Sequence, residues 1–221
     1  MLSIVIPVFK SSQTLLRTLL SIDSNSIGSH LEVEVIVVLD GPDSKCEEIF
    51  NLWRETSSLS SYLVSKPHSG VSASRNVGAN LSSGEIVTFL DADDEITFNR
   101  IVAARNLPSN QILVGKQELS KDFSHPNMSV QAEKNLAPSD FHIITLLVDR
   151  RRFLEMGGFD EAFSLGSDWE FVVRAKKEGF KIVYSDEPFV IRHLHSENAS
   201  HNHEVLKHEY LAAVRKHLKK D

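Results

Sequence analysis

The chain has 221 residues, 41% of them hydrophobic and 24% charged, which is typical of one soluble globular domain with a substantial core. Its formal net charge of -6 excludes a protein that holds nucleic acid mainly by neutralising phosphates. The N-terminus lacks the basic region of a signal peptide, and no run approaches the ~20 apolar residues of a membrane span. We therefore expect a cytoplasmic protein. Its single cysteine, Cys46, excludes an intrachain disulfide, and its place on an apolar helix face favours burial.

Short apolar runs alternate with helical patterns through the first half of the chain. The first helix is expected to begin after a cap at Ser11 or Ser12. One side of that helix is expected to carry four leucines: Leu15, Leu16, Leu19 and Leu20. Strands are predicted over 4–8, 33–39, 62–65 and 85–90, with further helices around 46–53 and over 71–81. This β-α-β-α-β-α-β order predicts an α/β fold with a mostly parallel sheet flanked by helices, and with ligands at the carboxyl ends of the strands.

The second half is less regular. Strands are predicted over 111–119, 143–148 and 181–184, and a long polar loop over 121–138. Helices are predicted over 150–156, closed by Gly157-Gly158, over 169–178, and from Glu204 to the end of the chain.

Four acids follow the fourth predicted strand: Asp91, Asp93, Asp94 and Glu95. Residues two apart in an extended chain face the same side, so Asp91 and Asp93 are expected to project together. Mg²⁺ and Mn²⁺ bind through one or two such carboxylates and keep positions open for diphosphate oxygens. The alternative interpretation is a solvated acidic turn that ends the strand.

The segment 70–78 combines two glycines and small residues with Arg75. Glycine allows close backbone approach, and the arginine side chain offers a planar fork for phosphate or a base edge. The segment matches neither the Gly-x-Gly-x-x-Gly dinucleotide fingerprint nor a Walker loop. A capped helix with an exposed arginine is the competing interpretation.

A further acidic group begins at Asp168, followed by Trp169 and Glu170. Asp168 is a candidate general base beside an aromatic wall at Trp169. Equally, Ser167 or Asp168 could cap the helix with Glu170 in its first turn.

Histidines are frequent near the end of the chain, but zinc motifs and cysteine partners are missing from the sequence. Of these histidines, His195 is singled out as a candidate ligand. The basic residues Arg215, Lys216, Lys219 and Lys220 lie opposite the apolar stripe of the last helix. This helix could either contact an anionic membrane peripherally or dock on the domain, and the sequence leaves both alternatives open.

Six segments in this order resemble the family 2 glycosyltransferases of the GT-A fold. They are 4–9, 37–41, 70–78, 89–94, 157–161 and 167–170. The resemblance implies a single GT-A domain over 1–221, with a nucleotide-binding half (1–95), an acceptor-side half (96–203) and a C-terminal helix (204–221).

The resemblance also implies the activity. We expect an inverting, metal-dependent transferase that moves a sugar from a nucleotide-diphosphate donor, expected to be UDP-linked, to an acceptor hydroxyl. The cofactor would be Mn²⁺ or Mg²⁺, and the acceptor a glycan, a lipid-linked sugar or another hydroxyl compound.

Individual roles follow from the same resemblance. Pro7 and Phe9 would border the nucleobase of the donor, and Asp40 would accept a hydrogen bond from the edge of that nucleobase. Arg75 would contact the nucleotide, and Trp169 would shape the sugar or acceptor pocket. Metal contacts would come from Asp93, Asp91 and His195: Asp93 is the direct ligand, and Asp91 meets the ribose or the metal. Asp168 matches the position of the catalytic base.

Five positions depart from the family pattern: Phe9-Lys10 for Tyr-Asn, Leu39 for an acid, Phe98 for Pro and Ser167 for Glu. None of them removes a residue that the mechanism requires. Two other functions are weighed: an aspartate-based phosphatase, which typically places its Asp-x-Asp after the first strand, and a catalytically silent nucleotide-sugar-binding module. Acceptor choice is expected to lie in the segment 117–140.

Overall fold

The computed structural model describes residues 1–120, 143–163 and 166–193, together with Glu209, Ala212 and Lys216, which are helical. In chain order its first elements are β1 (Leu2–Val8), α1 (Leu15–Ser26), β2 (Val33–Asp40), α2 (Ser44–Thr56), β3 (Ser60–Lys66), α3 (Val71–Leu81) and β4 (Ile86–Phe89). These are followed by β5 (Glu95–Ile96), α4 (Phe98–Ala103), β6 (Gln111–Leu119), β7 (Leu146–Asp149), α5 (Arg150–Glu155), α6 (Ser167–Lys177) and β8 (Lys181–Arg192). Short 3-10 helices cover Ala104–Asn106 and Ile143–Thr145.

One eight-stranded sheet carries the fold, in the order β3-β2-β1-β4-β7-β6-β8-β5. Strands β1 to β4 pair in parallel, so their carboxyl ends meet at one edge of the sheet. Strand β7 runs antiparallel to both β4 and β6, while β8 pairs in parallel with β6. The predicted α/β class with a mostly parallel sheet is confirmed.

The core lies on both faces of the sheet. Strands β1 and β2 are buried along their whole length, as expected for strands covered by helices on each side. On one face, Phe89 of β4 meets the rings of Phe153 and Phe159 at centroid distances of 5.4 Å and 4.9 Å. Phe171 of α6 packs against Phe159 at 5.1 Å. This aromatic cluster joins the first half of the chain to the second.

The predicted first helix needs a correction. Helix α1 begins at Leu15, with Thr14 at the N-cap and without a side-chain cap from Ser11 or Ser12. Its buried face carries Leu15, Leu19 and Ile22. Leu16 and Leu20 are 46% and 48% exposed, because they lie about 100° around the helix from the buried leucines.

The second half departs more widely from the predictions. Strand β5 and helix α4 were not predicted, and β8 extends to Arg192 rather than ending near Tyr184. Residues 143–145 form a 3-10 turn before β7 instead of the start of a strand. The predicted loop over 121–138 lies outside the described residues, and so does the predicted last helix from Glu204, apart from Glu209, Ala212 and Lys216.

Three glycines matter for the site. Gly78 of α3 faces β1 so closely that a Cβ there would lie 2.2 Å from Cγ1 of Val5. Helix α3 therefore packs directly against the strand. Gly157 and Gly158 have φ values of +83° and +68°, and they end α5 as the sequence predicts.

Cys46 is buried in α2, as expected. Burial raises the pKa of the Cys46 thiol to about 12, with a further contribution from a hydrogen bond to Asp43. No helix within the described ranges is long and apolar enough to cross a membrane.

Candidate active site

The acidic turn after β4 lies at the carboxyl edge of the parallel strands. Asp91, Asp93 and Asp94 each offer a carboxylate oxygen, and these three oxygens lie within 4.8 Å of one another. The backbone of the turn is fixed from α1, where Arg17 Nη2 donates to the Asp93 carbonyl at 2.6 Å and Thr18 Oγ1 to the Asp94 carbonyl at 2.8 Å. The predicted convergence of Asp91 and Asp93 is therefore present, and Asp94 joins them.

Asp94 is the buried member of this cluster, at 2% exposure. Burial raises its pKa well above the ordinary value, and the charges of Asp93 and Asp91 raise it further. The backbone N–H of His193 donates to Asp94 Oδ1 at 3.0 Å and opposes this rise. Glu95 points elsewhere, because its carboxylate pairs with His193 Nε2 at 2.6 Å. Three of the four acids thus form a group with concentrated negative charge.

Two buried arginines face this charge. Arg75 of α3 donates through Nη2 to Asp91 Oδ1 at 2.7 Å and is 5% exposed, so the alternative of an exposed arginine is wrong. Arg100 of α4 is fully buried behind the turn, where its Nη2 donates to Thr88 Oγ1 and to the Phe89 carbonyl. Burial lowers the pKa of Arg100 to about 9, although Asp91 and Asp94 act in the opposite direction. The turn is consequently held by internal positive charge.

Asp40 ends β2 and is engaged on both carboxylate oxygens. Oδ1 accepts from Lys66 Nζ and from the Ser69 backbone N–H, and Oδ2 from the Gly70 N–H at 3.0 Å. His68 Nδ1 lies 2.8 Å from Oδ2. Burial on its own would raise the pKa of Asp40, but the hydrogen bonds and the Lys66 charge outweigh it and lower that pKa. Asp40 therefore orders the turn that leads into α3.

Phe9 follows β1 at the same edge of the sheet and is 51% exposed. Its ring stacks on His68 with centroids 4.6 Å apart and an interplanar angle of 24°. Lys10 Nζ lies 5.1 Å from the Phe9 centroid. Since His68 also contacts Asp40, the stacked pair joins the ends of β1 and β2 into one open aromatic platform. Pro7 lies within β1 and is buried.

Asp168 lies in the first turn of α6, after Gly166 at the N-cap. Because Gly166 is the N-cap residue and no side chain caps the helix, neither Ser167 nor Asp168 is the cap, and Asp168 Oδ2 instead accepts from the Ile143 backbone N–H at 3.1 Å. Burial raises the pKa of Asp168, and the charge of Asp91 adds to this rise. The charge of Arg75 opposes it. A carboxyl with a raised pKa, electrostatically linked to the acidic turn, is the arrangement expected of a general base.

Trp169 is half-buried beside Asp168, and His195 lies outside the described residues. The structure thus brings Asp91, Asp93 and Arg75 together, and it joins Phe9 to Asp40 through a histidine that the sequence did not single out. Arg100 was missed as well. Its spacing after the acidic turn was visible in the sequence, but only the tertiary structure reveals its burial.

Residues 3–106 match the family model described as "Glycosyl transferase family 2". Among curated proteins, the chain is 27% identical to the amylovoran biosynthesis glycosyltransferase AmsB of Erwinia amylovora, over 98% of this chain and 78% of that protein. It is 25% identical to a Campylobacter jejuni protein named GalNAc(5)-diNAcBac-PP-undecaprenol beta-1,3-glucosyltransferase, over 73% of this chain and 55% of that one.

Solved structures share the fold. TarS residues 1–349 of S. aureus, in complex with UDP-GlcNAc, superpose with a TM-score of 0.72 at 18% identity over 97% of this chain. The mannosyltransferase PcManGT of Pyrobaculum calidifontis, in complex with GDP-Man and Mn²⁺, gives 0.77 at 16% identity over the whole chain. This chain spans 64% of each of those two chains. The motif order, the strand-end geometry and these matches agree: residues 3–106 match glycosyltransferase family 2, the fold is of the GT-A type, and the chain is a transferase enzyme.

Proposed function

We propose that the protein is an inverting glycosyltransferase that moves a sugar from a nucleotide-diphosphate donor, UDP-linked by preference, to an acceptor hydroxyl. The observation that carries this proposal is the electrostatic link between the acidic turn and Asp168. The turn gathers three carboxylates, Arg75 bonds to one of them, and the charges of Asp91 and Arg75 both act on the pKa of Asp168.

The acidic turn fits a hard divalent cation, Mn²⁺ or Mg²⁺. Its ligands are carboxylate oxygens close enough to share one ion. The pKa of Asp94 is raised first by burial and then by the charges of Asp93 and Asp91, and a cation would relieve this repulsion. Asp93 and Asp91 would hold the ion, and His195 is retained as a proposed further contact. When bound, such an ion supplies compensating charge for the diphosphate leaving group.

Asp168 would accept the proton of the attacking hydroxyl. The acceptor oxygen forms a bond to the anomeric carbon as the bond from that carbon to the diphosphate oxygen breaks, and the bonding pair leaves with the diphosphate. Attack opposite the leaving group inverts the configuration. The raised pKa of Asp168 suits this role, because a stronger base is a better proton acceptor once it is ionised.

The donor base would lie over the Phe9 platform, bordered by Pro7. Phe9 presents an exposed ring, and such rings supply stacking area for nucleobases. Asp40 is proposed to shape this pocket by fixing the turn over residues 66–70. It is also proposed to accept a hydrogen bond from the edge of the nucleobase. Arg75 and Trp169 would contact the nucleotide and the sugar. Solved relatives bind UDP-GlcNAc and GDP-Man, which supports a nucleotide-sugar donor without deciding its base.

For the acceptor we propose a glycan or a lipid-linked sugar. The Campylobacter relative is named for an undecaprenol-linked substrate, which supports the lipid-linked class. The domain division at 95 and 203 and the cytoplasmic location are part of the same proposal. Lys216 Nζ pairs with Asp160, which favours docking of the last helix over membrane contact by that residue.

Thermal-shift measurements test the proposal. UDP, GDP, UDP-GlcNAc and GDP-Man are added with and without Mn²⁺, and a bound ligand raises the melting temperature by mass action. Asp93→Asn is expected to remove the Mn²⁺-dependent part of the shift. Asp186→Asn is the matched control, because Asp186 is 97% exposed on β8 and pairs with Lys116. If none of the four nucleotides gives a metal-dependent shift with the unmodified chain, the proposal is wrong. Phosphate release from simple phosphate esters would instead favour the phosphatase alternative.

A further inference from the structure

We propose that Asn76 is a positioning residue for Asp168, and that it fixes the base relative to Arg75 and the acidic turn. The proposal rests on the function proposed above. It concerns a side chain at the point where helix α3 of the first half touches the loop that leads into α6 of the second half. Asn76 does not contact the acidic turn itself, so its effect on the reaction would pass through α6.

Asn76 is bonded to the loop through both ends of its amide. Its Nδ2 donates to the Phe159 carbonyl at 2.9 Å, and its Oδ1 accepts from the Phe159 N–H at 2.8 Å. Nδ2 also donates to Glu161 Oε1 at 2.9 Å. The side chain therefore pairs with Phe159 as a neighbouring strand would, and this reciprocal geometry fixes both the position and the direction of the loop.

The loop is shaped for this contact. A Cβ at Gly158 would lie 2.4 Å from Asn76 Oδ1, closer than any real side chain approaches. Gly158 also has a positive φ of +68°. Glycine is thus required by its backbone conformation and by the close approach of the amide.

The same loop is held from the other side by α6. Arg174 Nη2 donates to the Gly158 carbonyl at 2.6 Å, and Arg174 is fixed in turn by a bidentate pair with Glu170. Phe159 packs against Phe171 of the same helix. Because Asp168 lies in the first turn of α6, these contacts connect Asn76 to the base through one short path: amide, loop, guanidinium and helix.

The residue before Asn76 completes the connection. Arg75 bonds to Asp91 of the acidic turn, so adjacent residues of α3 hold the turn and the loop. Ser72, one turn earlier in α3, donates to the Phe163 carbonyl at 3.3 Å and adds a second tie to this segment. One turn of helix thus sets the distance between the acidic turn and Asp168, the proposed catalytic base.

The test compares Asn76→Ser with Asn80→Ser. Asn80 lies one turn later on the exposed side of α3 and donates only to the Asn76 carbonyl among the bonds that the structure records for it. Hydrolysis of UDP-GlcNAc in the presence of Mn²⁺ is measured, with water as the acceptor. Asn76→Ser is expected to lower kcat roughly 10- to 100-fold, as misplacement of about 1 Å does, with the donor KM nearly unchanged. Asn80→Ser is expected to change neither.

A second measurement does not require turnover. The carboxyl resonance of Asp168 is titrated by NMR, with Asp168→Asn used for its assignment. Burial raises the pKa of Asp168 and the Arg75 charge lowers it, so a displacement of α6 from α3 is expected to shift that pKa in Asn76→Ser and to leave it unchanged in Asn80→Ser. If Asn76→Ser melts lower but keeps the kcat and the Asp168 pKa of the unmodified chain, the residue is merely structural and the inference is wrong. Failure of the unmodified chain to bind any nucleotide would instead contradict the proposed function.

Discussion

The two sides of the site are built in different ways. On the donor side, Asp40 and Asp91 lie at or just after the ends of parallel strands, so the hydrogen bonds of the sheet fix their positions. On the side of the catalytic base, here called the base side, Asp168 lies on a helix that is held by side chains from distant parts of the chain. The match to the family model covers 3–106 and therefore includes the donor side and not the base side.

This difference indicates which kinds of substitution each side of the site tolerates. The donor side draws most of its geometry from backbone pairing, which tolerates many side-chain changes, and bonds from Arg17, Thr18 and Arg75 then hold the acidic turn. The base side draws its geometry from a few side-chain bonds, each of which is removable by one substitution. We therefore expect distant substitutions to affect kcat on the base side and to affect mainly stability on the donor side.

The largest effect is expected for Asp168→Asn. The amide cannot accept the acceptor proton at any working pH, so kcat should fall about 10²- to 10⁴-fold. Donor binding, measured by the thermal shift with nucleotide and Mn²⁺, should stay close to that of the unmodified chain. Retention of most of the transfer activity would remove Asp168 as the base.

A smaller effect, with a clear sign, is expected for Arg75→Met. Asp168 must be ionised to act, and its pKa is already raised by burial, so kcat is lost as the pH falls through that raised pKa. Removing the Arg75 charge raises the pKa of Asp168 further and moves the acidic limb of the kcat–pH profile to higher pH. Arg75→Lys keeps the charge and should move it less. Coincident acidic limbs for all three proteins would contradict the electrostatic link between the two sides.

Glu34→Gln perturbs the opposite edge of the sheet. Glu34 is buried and accepts from the Ser3 hydroxyl, from Ser83 and from the Gly84 N–H. The amide nitrogen of glutamine cannot accept the bond that Oε2 receives from the Ser83 hydroxyl, so we expect a loss of about 1–3 kcal/mol in the free energy of unfolding, with kcat unchanged. Urea denaturation measures it.

The pH dependence of that loss has a definite sign. Burial would raise the pKa of Glu34, but the hydrogen bonds outweigh it and lower that pKa. Its stabilisation is therefore complete above the ordinary pKa of a glutamate and is lost as the pH falls through the lowered folded-state pKa. The difference in the free energy of unfolding between Glu34→Gln and the unmodified chain should become smaller in acid. A difference that becomes larger in acid would contradict the lowered pKa of Glu34.

The smallest effect is expected for Lys216→Ala. Lys216 pairs with Asp160 and lies 5.8 Å from the Phe163 ring centroid, yet its side chain is 52% exposed. Such partly exposed pairs contribute at most about 1 kcal/mol, so the melting temperature should fall only slightly. Co-sedimentation with anionic vesicles should be unaffected, because a docked Lys216 does not face a membrane. A clear drop in vesicle binding would favour membrane contact.

The sequence predicts the donor side well. Buried strands followed by acids place Asp40 and Asp91 at one edge of a parallel sheet, because parallel order and strand polarity follow from the β-α-β pattern. Leu16 and Leu20 were wrongly assigned to the buried face, since four leucines within six positions leave the orientation of the helix undetermined.

The base side is less predictable for physical reasons. Strand β5 has two residues and no periodicity, so its pairing with β8 leaves no local signal. The bonds of Asn76 reach Phe159, far along the chain, and nothing near Asn76 indicates that partner. The sequence indicates Asp168 as a candidate base both by its place beside Trp169 at the start of a helix and by the resemblance of motifs. Its raised pKa depends on charges that only the folded chain brings close.

The buried thiol in α2 has a practical consequence. A cysteine with a pKa of about 12 is almost entirely protonated at neutral pH and reacts slowly with alkylating reagents. Since Cys46 is the only cysteine, the native chain is a ready background for single-site labelling. A fluorophore or spin label attached to a cysteine introduced at the exposed Leu81, at the end of α3, would report on that helix alone.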